Sequence, residues 1–233
     1  PFSLISNDVK NDQLVIVPGY WFMYNMYALM RNTNKFLSRD KRQFKNQYFE
    51  YDILAPDTIN ELFDSLKEIE SAVALALSKG VEGNGIDARS WLNSPSGPVL
   101  EVLLQNTEFS KRKVVLLKPK ESYALFKKLI RYYAVCQVLE LVSPDDFDKK
   151  LLHSNLSISE RASFVNVGGQ LMPSHKMECL LDAIRSEEVA SWKDVHAEYK
   201  ALSGEYLEDK LAHALISLAE VTERQSNTWD LDF

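Results

Sequence analysis

The sequence has few of the residues that form disulfide bonds or bind metal ions. Its 233 residues include two cysteines, Cys136 and Cys179, and each lies in an apolar helical pattern with no histidine or further cysteine close by. Neither a zinc site nor a disulfide framework is expected, and both thiols are predicted to be buried in a reducing compartment. No metal ligand and no cofactor is predicted, and a chain of this length can bury a core without such crosslinks.

Positive charge and long hydrophobic runs are also scarce. The formal net charge is −6, from 33 acidic and 27 basic residues. Neither nucleic acid nor a membrane is therefore predicted as a partner. An uncharged stretch at residues 14–30 is shorter than the about 20 apolar residues of a spanning helix, and it contains Pro18 and Gly19. No signal-peptide pattern is present, so a cytoplasmic location is predicted.

Helical periodicity is what the chain has in abundance. Residues 58–61 form a capping-box pattern, Thr-Ile-Asn-Glu, and the apolar residues after it recur with a period of 3.6. A second long helix is predicted from Pro119 to about Val142, and its second half is apolar nearly all round, which is typical of the central helix of a bundle. Three more helices are predicted at about residues 174–186, 188–202 and 205–224.

These patterns predict an all-α fold, a multi-helix bundle with one small β-hairpin and a short N-terminal extended segment. Gly168-Gly169 between two short apolar runs indicates the hairpin. Residues 1–17 are predicted to be coil followed by a short strand near their end. Residues 18–225 are predicted to form the helical domain, and residues 226–233 a frayed C-terminal tail.

A short basic segment stands out in this acidic chain. Residues 31–45 contain six basic residues and one acidic residue, a net charge of +5. On a continuous helix, four of the basic residues share one broad stripe: Arg31, Lys35, Arg39 and Arg42. Like charges repel one another, and a bound phosphate or carboxylate would remove that penalty. The alternative is a solvated helix face that pairs with acidic residues elsewhere.

Tyrosines lie on both sides of the basic segment. They are Tyr24, Tyr27, Tyr48 and Tyr51. Their rings could stack on a base or a sugar, so an anionic small ligand is one interpretation of the whole stretch. Nucleic acid is disfavoured because a short basic run on an acidic protein makes few phosphate contacts.

One spacing occurs twice near the C-terminus. Its six residues are Trp192, His196, Tyr199, Tyr206, Lys210 and His213. If a turn at Ser203-Gly204 folds two helices into an antiparallel hairpin, both triplets face a common groove. A histidine there could act as acid or base and the lysine could hold an anion. The alternative is ordinary core packing of large amphipathic side chains. Whether the chain is an enzyme stays open, and no catalytic residue is assigned.

Three stretches together resemble a known family. They are Tyr27–Asn32 with Lys35-Phe36 and Arg39-Asp40, then Glu50–Thr58, and then Gly168–Leu171 with Ser191-Trp192 and His196. These strings resemble the C-terminal half of large uncharacterised Bacteroides-type proteins, a domain of unknown function. The N-terminal half of those proteins is similar to left-handed β-helix, hexapeptide-repeat sugar-nucleotide transferases.

The resemblance implies an accessory C-terminal domain of a larger transferase-like protein, with residues 1–17 as the extended exit segment from the preceding domain. Its partners would be the preceding β-helix domain, further copies in a homo-oligomer, and a nucleotide or sugar-phosphate ligand. This chain contains no hexapeptide repeats, so no catalytic residue can be carried over. The alternative is a non-catalytic structural or oligomerisation module whose residues 14–30 pack on the preceding domain or on a second subunit.

Overall fold

A computed structural model of the chain describes residues 1–43, 49–80, 86–108, 111–141 and 160–223. The helices in these ranges are α1 Tyr20–Tyr24, α2 Met26–Arg39, α3 Pro56–Gly80, α4 Ala88–Asn93, α5 Pro119–Leu141, α6 Ser174–Arg185 and α7 Trp192–Val221. The strands are β1 Leu4–Asp8, β2 Gln13–Val17, β3 Leu103–Leu104, β4 Lys113–Leu116, β5 Phe164–Val167 and β6 Gln170–Pro173. The predicted all-α class is wrong, because two sheets accompany the helices in a mixed α/β fold.

A four-stranded sheet holds the N-terminal segment. Its strand order is β1-β2-β4-β3, with β2 parallel to β4 and the other pairs antiparallel. The predicted strand near residue 17 exists as β2, but it is the second strand of this sheet. β1 gives a weak strand signal because its sequence, LISND, contains only two apolar residues. The pairing of β2 with β4, which is about a hundred positions away, is a long-range contact that the local sequence does not reveal.

The described chain divides into two compact units, and each is assembled from two separate stretches. Unit 1 contains Pro1–Lys35 and Glu61–Lys128, and unit 2 contains Phe36–Asn60 and Leu129–Phe233. The boundary between them falls inside α2, α3 and α5, so the sequence does not mark it with a linker.

Unit 1 contains the four-stranded sheet. The Ser122 hydroxyl, at the start of α5, donates a hydrogen bond of 2.9 Å to the Pro18 carbonyl. Gly19 next to it has a left-handed φ of 67°, and a Cβ there would lie 2.7 Å from Leu125 Cδ2. Both observations explain a glycine at this position, which joins the sheet to α1.

Helix α3 begins two residues earlier than the capping-box pattern predicts. Pro56 is its first residue, where the missing N–H is harmless. Thr58 then lies inside the first turn, and its hydroxyl accepts the Ala55 N–H at 2.8 Å. The predicted period is confirmed, since one face of α3 is buried along its length: Ile59, Leu62, Phe63, Leu66, Ile69 and Val73.

Unit 2 contains the predicted hairpin. Gly168 and Gly169 join β5 to β6 with φ values of 63° and 97°. A Cβ on Gly169 would lie 2.4 Å from the Phe49 ring, so the turn needs glycine both for its backbone and for its neighbour. All four residues of β6 are buried, and this strand contacts α6 and α7.

The two helices predicted at 188–202 and 205–224 are one. Helix α7 runs unbroken from Trp192 to Val221, capped by the Ser191 hydroxyl, which accepts the Asp194 N–H. Gly204 lies inside it, and nothing approaches within 4 Å of the Cβ that an alanine would add. The predicted turn at Ser203-Gly204 is therefore wrong, because a single glycine weakens a helix by only about 1 kcal/mol and tertiary packing outweighs it.

The second half of α5 is not a fully buried central helix. One face is buried, at Ile130, Tyr133, Ala134 and Val138, while Tyr132, Val135 and Leu139 are exposed on the other. The prediction that both cysteines are buried is also wrong, because Cys136 is half-buried and Cys179 on α6 is exposed.

Some expectations fall on residues that the structure does not describe. They are Tyr48 and the tail at 226–233. Within the described ranges, none of the helices has the length and apolar character needed to cross a membrane.

Candidate functional site

Three of the four predicted anion-binding residues lie on one side of α2. Arg31, Lys35 and Arg39 are spaced at four residues, and α2 contains no acidic residue. Arg42 lies beyond the helix end and is already engaged. Its guanidinium donates to both carboxylate oxygens of Asp40, at 2.8 and 2.7 Å, and lies 4.0 Å above the centre of the Phe49 ring.

Each of the predicted stacking tyrosines in the described ranges has its own local surroundings. Tyr51 stacks on Phe36, with ring centres 5.3 Å apart. The Tyr24 hydroxyl accepts a hydrogen bond from the Lys118 ammonium, which also lies 5.1 Å from the Tyr24 ring centre. Tyr27 is the most open of the three, at 76 % exposure. Stacking on a base or sugar by these residues stays a prediction.

The most aromatic stretch of the sequence lies at the surface of unit 1. Helices α1 and α2 together contain no buried residue. In the part of these helices that belongs to unit 1, four large apolar side chains are each more than half exposed, and we call them the α1–α2 surface: Tyr24, Met26, Tyr27 and Met30. Such clusters of exposed aromatic and methionine side chains are typical of surfaces that bind a partner.

Two cations border the α1–α2 surface. Lys118 caps Tyr24, as described above, and Arg31 lies one helical turn after Tyr27, on the same side of α2. Arg31 makes no ion pair with any residue in the described part of the chain, and neither does Arg39 further along the helix. The surface therefore has an apolar centre and a positive rim.

The six residues of the predicted groove lie on a single helix. Trp192 and His213 are 21 positions apart on α7, about 32 Å along the axis at 1.5 Å per residue. Trp192 is 79 % exposed and lies beside His196, with ring centres 6.3 Å apart. The Tyr199 hydroxyl donates to the Val167 carbonyl at the hairpin. No groove between two helices forms from these residues, because the turn that would bring them together is absent from α7.

The second half of this row is buried in unit 2 and holds a charged cluster. The Lys210 ammonium lies 2.9 Å from Glu50 Oε2 and 3.2 Å from Asp52 Oδ2. The Tyr206 hydroxyl also donates to Glu50. The Lys210 and Glu50 side chains are 3 % and 4 % exposed, so this ion pair is sealed from water. Burial alone would lower the pKa of Lys210, but the two carboxylates outweigh burial and the pKa is raised.

His213 lies in a second hydrogen-bonded chain beside the ion pair. Asn60 Nδ2 donates to the Ala162 carbonyl at 3.0 Å, which leaves Asn60 Oδ1 facing His213 Nε2 at 3.0 Å. Nε2 therefore carries the proton, and Nδ1 accepts from the Tyr133 hydroxyl at 3.2 Å. Burial, with a smaller effect of the Arg161 charge, lowers the pKa of His213 to about 3.

This bonding pattern suits structure better than acid–base chemistry. A histidine with a pKa of about 3 stays neutral at ordinary pH, far from the value that suits proton transfer near neutrality. Burial, and then the charges of Glu50, Asp57 and Asp52, raise the pKa of Tyr133 well above its usual value. Lys210 is held as a cation. The cluster joins residues 49–60 to α7. We call it the Lys210 clamp, and its members are Glu50, Asp52, Asn60, Tyr133, Tyr206, Lys210 and His213.

Sequence reasoning missed the partners of the Lys210 clamp. Glu50 and Asp52 look like ordinary surface acids, and Asn60 and Arg161 lie about 100 positions apart although the Arg161 guanidinium donates to Asn60 Oδ1. A buried charge requires a partner, so a lysine on the apolar face of a helix was the available signal that a distant carboxylate must meet it. Within the described ranges, no group of three or more metal-binding side chains occurs.

Comparisons with known proteins give one informative relative. The chain is 33 % identical, over 222 residues, to an uncharacterized protein of Treponema pallidum (strain Nichols). The match covers 95 % of this chain and 31 % of that protein, so the chain spans about a third of the length of its relative. No family model matches the sequence, and no solved structure matches it.

Proposed function

We propose that this chain is a non-catalytic interaction module of a longer polypeptide, and that the α1–α2 surface is where it contacts the rest of that polypeptide. The observation that carries the proposal is the complete lack of buried residues in α1 and α2, the most aromatic part of the chain. A folded monomer rarely leaves so many large apolar side chains together in water.

The length of the relative supports a partner within the same polypeptide. About two thirds of the Treponema pallidum protein lies outside the region similar to this chain. A tethered partner needs few contacts, because the tether supplies a high effective concentration. A transferase activity for the longer protein rests on the sequence resemblance and stays a prediction.

The Lys210 clamp favours a structural role over catalysis. Its ammonium, its carboxylate Glu50 and its imidazole are each bonded to other protein groups, and Tyr206, Lys210 and His213 are at most 2 % exposed. A catalytic group must reach a substrate, and these groups do not reach the surface.

The test is hydrogen exchange on the isolated 233-residue chain and on the whole gene product that contains it. We expect the amides of α2 to exchange at least about tenfold more slowly in the longer product, because docking would cover them. Tyr27→Asp should restore fast exchange in the longer product. Tyr132→Asp, at a tyrosine on α5 that is also more than half exposed, serves as the matched control and should not. Equal exchange of α2 in both samples would disprove the proposal.

A second candidate function is supported by the basic residues of α2. Arg31, Lys35 and Arg39 form a positive row without an acid on the helix, which is the charge pattern of a site for a phosphate or carboxylate. The test is a thermal-shift screen at low salt with nucleoside diphosphates, sugar nucleotides and sugar phosphates.

The screen supports the anion site if one ligand gives a saturating shift that Arg39→Glu abolishes. Arg185→Glu is the matched control, since that arginine is exposed on α6 and pairs only locally, with Asp182. Shifts that are equal in all three proteins would reflect general charge screening and would exclude the site.

A further inference from the structure

The rim of the α1–α2 surface carries information about what covers it. From Tyr20 to Lys35, the part of α1 and α2 that belongs to unit 1, the chain contains two basic residues and no acidic residue. Lys118 adds a third positive charge beside Tyr24. The rest of the chain has an excess of acids, since the total is 33 acidic to 27 basic residues. The positive rim is therefore a local feature that opposes the charge of the whole chain.

Covering the apolar centre also withdraws the rim from water. Arg31 lies one turn from Tyr27, so a partner that buries Tyr27 partly desolvates the guanidinium. An arginine that loses water without gaining an anion weakens the complex, whereas a carboxylate opposite it forms a two-pronged hydrogen bond. Opposite charges around an apolar centre also speed the encounter and fix its orientation.

We infer that the partner of the α1–α2 surface is an acidic polypeptide surface, with an apolar pocket for Tyr27 and Met30 and with carboxylates that meet Arg31 and Lys118. This inference rests on the proposed function, and it names the chemistry of the partner. It predicts that docking weakens as salt is added. Exposed charges attract one another over a Debye length of only about 8–10 Å at 0.10–0.15 M salt, and more salt shortens that length.

Two other occupants fit the charges less well. A second copy that used the same surface would bring Arg31 and Lys118 close to their own counterparts, and like charges repel. An anionic membrane would also neutralise the rim. A membrane is a plane wider than this surface, however, and it would meet the acidic remainder of a chain whose net charge is −6.

The experiment uses the whole gene product and the same exchange of the α2 amides. We expect Arg31→Glu to reduce the protection of α2 about tenfold or more near 50 mM salt, because an attraction becomes a repulsion. Raising the salt to about 500 mM should reduce the protection of the parent protein in the same direction. Arg131→Glu, on the exposed side of α5, makes the same charge change elsewhere and should leave α2 protected.

Each outcome separates the inference from the proposed function. If the parent shows no protection of α2, the proposed function fails and the inference fails with it. If Tyr27→Asp removes protection but Arg31→Glu and salt do not, the module docks through apolar contacts alone, and only the inference is overturned. Sedimentation of the isolated chain with vesicles of phosphatidylcholine and phosphatidylglycerol, lost in Arg31→Glu, would assign the rim to lipid and would also overturn it.

Discussion

The α1–α2 surface and the buried half of α7 begin from the same kind of sequence pattern and end in opposite environments. Both place tyrosines and basic residues at helical spacing. On α7, Lys210 meets Glu50 and Asp52 and is sealed in unit 2. On α1 and α2, no residue is buried. Spacing therefore shows which side chains share a face, but the partner that decides burial comes from a distant part of the chain.

The largest expected difference between the two regions is the response to losing a cation. Lys210→Met should lower the free energy of unfolding by about 3–5 kcal/mol, because Glu50 would remain buried without its counter-charge. Arg31→Met on the exposed helix should change it by less than about 0.5 kcal/mol. Urea unfolding of both variants measures the contrast. A loss below about 1 kcal/mol for Lys210→Met would show that the clamp is not sealed.

A double variant sharpens this result. Glu50→Gln together with Lys210→Met removes both charges, so no uncompensated ion stays inside. We expect the double variant to be more stable than the sum of the two single losses predicts, with a coupling of about 1–3 kcal/mol. Strictly additive losses would mean that the two side chains do not interact.

The next difference is a pH dependence that the buried histidine His213 should add to the stability of the chain. The pKa of His213 is about 3 in the folded chain, against the ordinary 6.5. Between these values the unfolded chain binds a proton that the folded chain does not. Stability from this group is therefore complete above pH 6.5 and falls by up to about 1.4 kcal/mol per pH unit below it.

Urea unfolding at pH 7, 6 and 5 tests the histidine prediction. His213→Gln should remove that part of the slope, whereas His196→Gln on the exposed end of α7 should keep the slope of the parent. The two variants change the same residue type on the same helix, so other titrating groups cancel in the comparison. Identical slopes in the three proteins would contradict the assignment to His213.

A smaller effect compares two tyrosine hydroxyls. Tyr206→Phe deletes the donor to the buried Glu50 carboxylate and should cost about 1.5–3 kcal/mol, the usual range for a hydrogen bond to a charged group. Tyr27→Phe on the α1–α2 surface should be neutral within about 0.5 kcal/mol. Equal effects in the two variants, measured by chemical unfolding, would remove the contrast between the regions.

The smallest expected effect concerns the glycine inside α7, and its sign is the informative part. Gly204→Ala should raise the free energy of unfolding by about 0.5–1 kcal/mol, since the added methyl group meets nothing and alanine is the better helix former. Gly169→Ala should be destabilising, because its φ is 97° and its Cβ would strike Phe49. Thermal unfolding of the pair gives both signs, and a lower melting temperature for Gly204→Ala would indicate a kink in α7.

Part of this fold could be predicted from local sequence. The strong period of α3, the bounds of α5, the strand at β2 and the Gly-Gly hairpin all follow from patterns within a few residues. In each of these cases the sequence pattern covers the same residues as the element it predicts. The predicted turn at Gly204 was wrong because one glycine was given more weight than the thirty residues of continuous helix around it.

The rest depends on contacts between distant residues. β1 forms a strand because it pairs with β2. β2 in turn pairs in parallel with β4, which lies about a hundred positions further along the chain. The candidate site shows the same limit. The spacing places Lys210 and His213 on one face of α7, but their environment is set by Glu50 and Asn60, whose own neighbourhoods give no signal. Arg42 was grouped with the stripe, although Asp40, two residues before it, is its partner.

Because each unit is made of two separate stretches of the sequence, its parts are synthesised at different times. Glu50 and Lys210 are 160 positions apart, and a ribosome that adds about 5–20 residues per second needs roughly 8–30 seconds to make the stretch between them. During that interval residues 36–60 exist without the helix that completes their unit. Glu50, which is buried in the folded unit, is then in water, where an unpaired charge is tolerated. The aromatic residues next to it in sequence are exposed as well. Synthesis of α7 ends that interval, so this helix determines when residues 36–60 can become native.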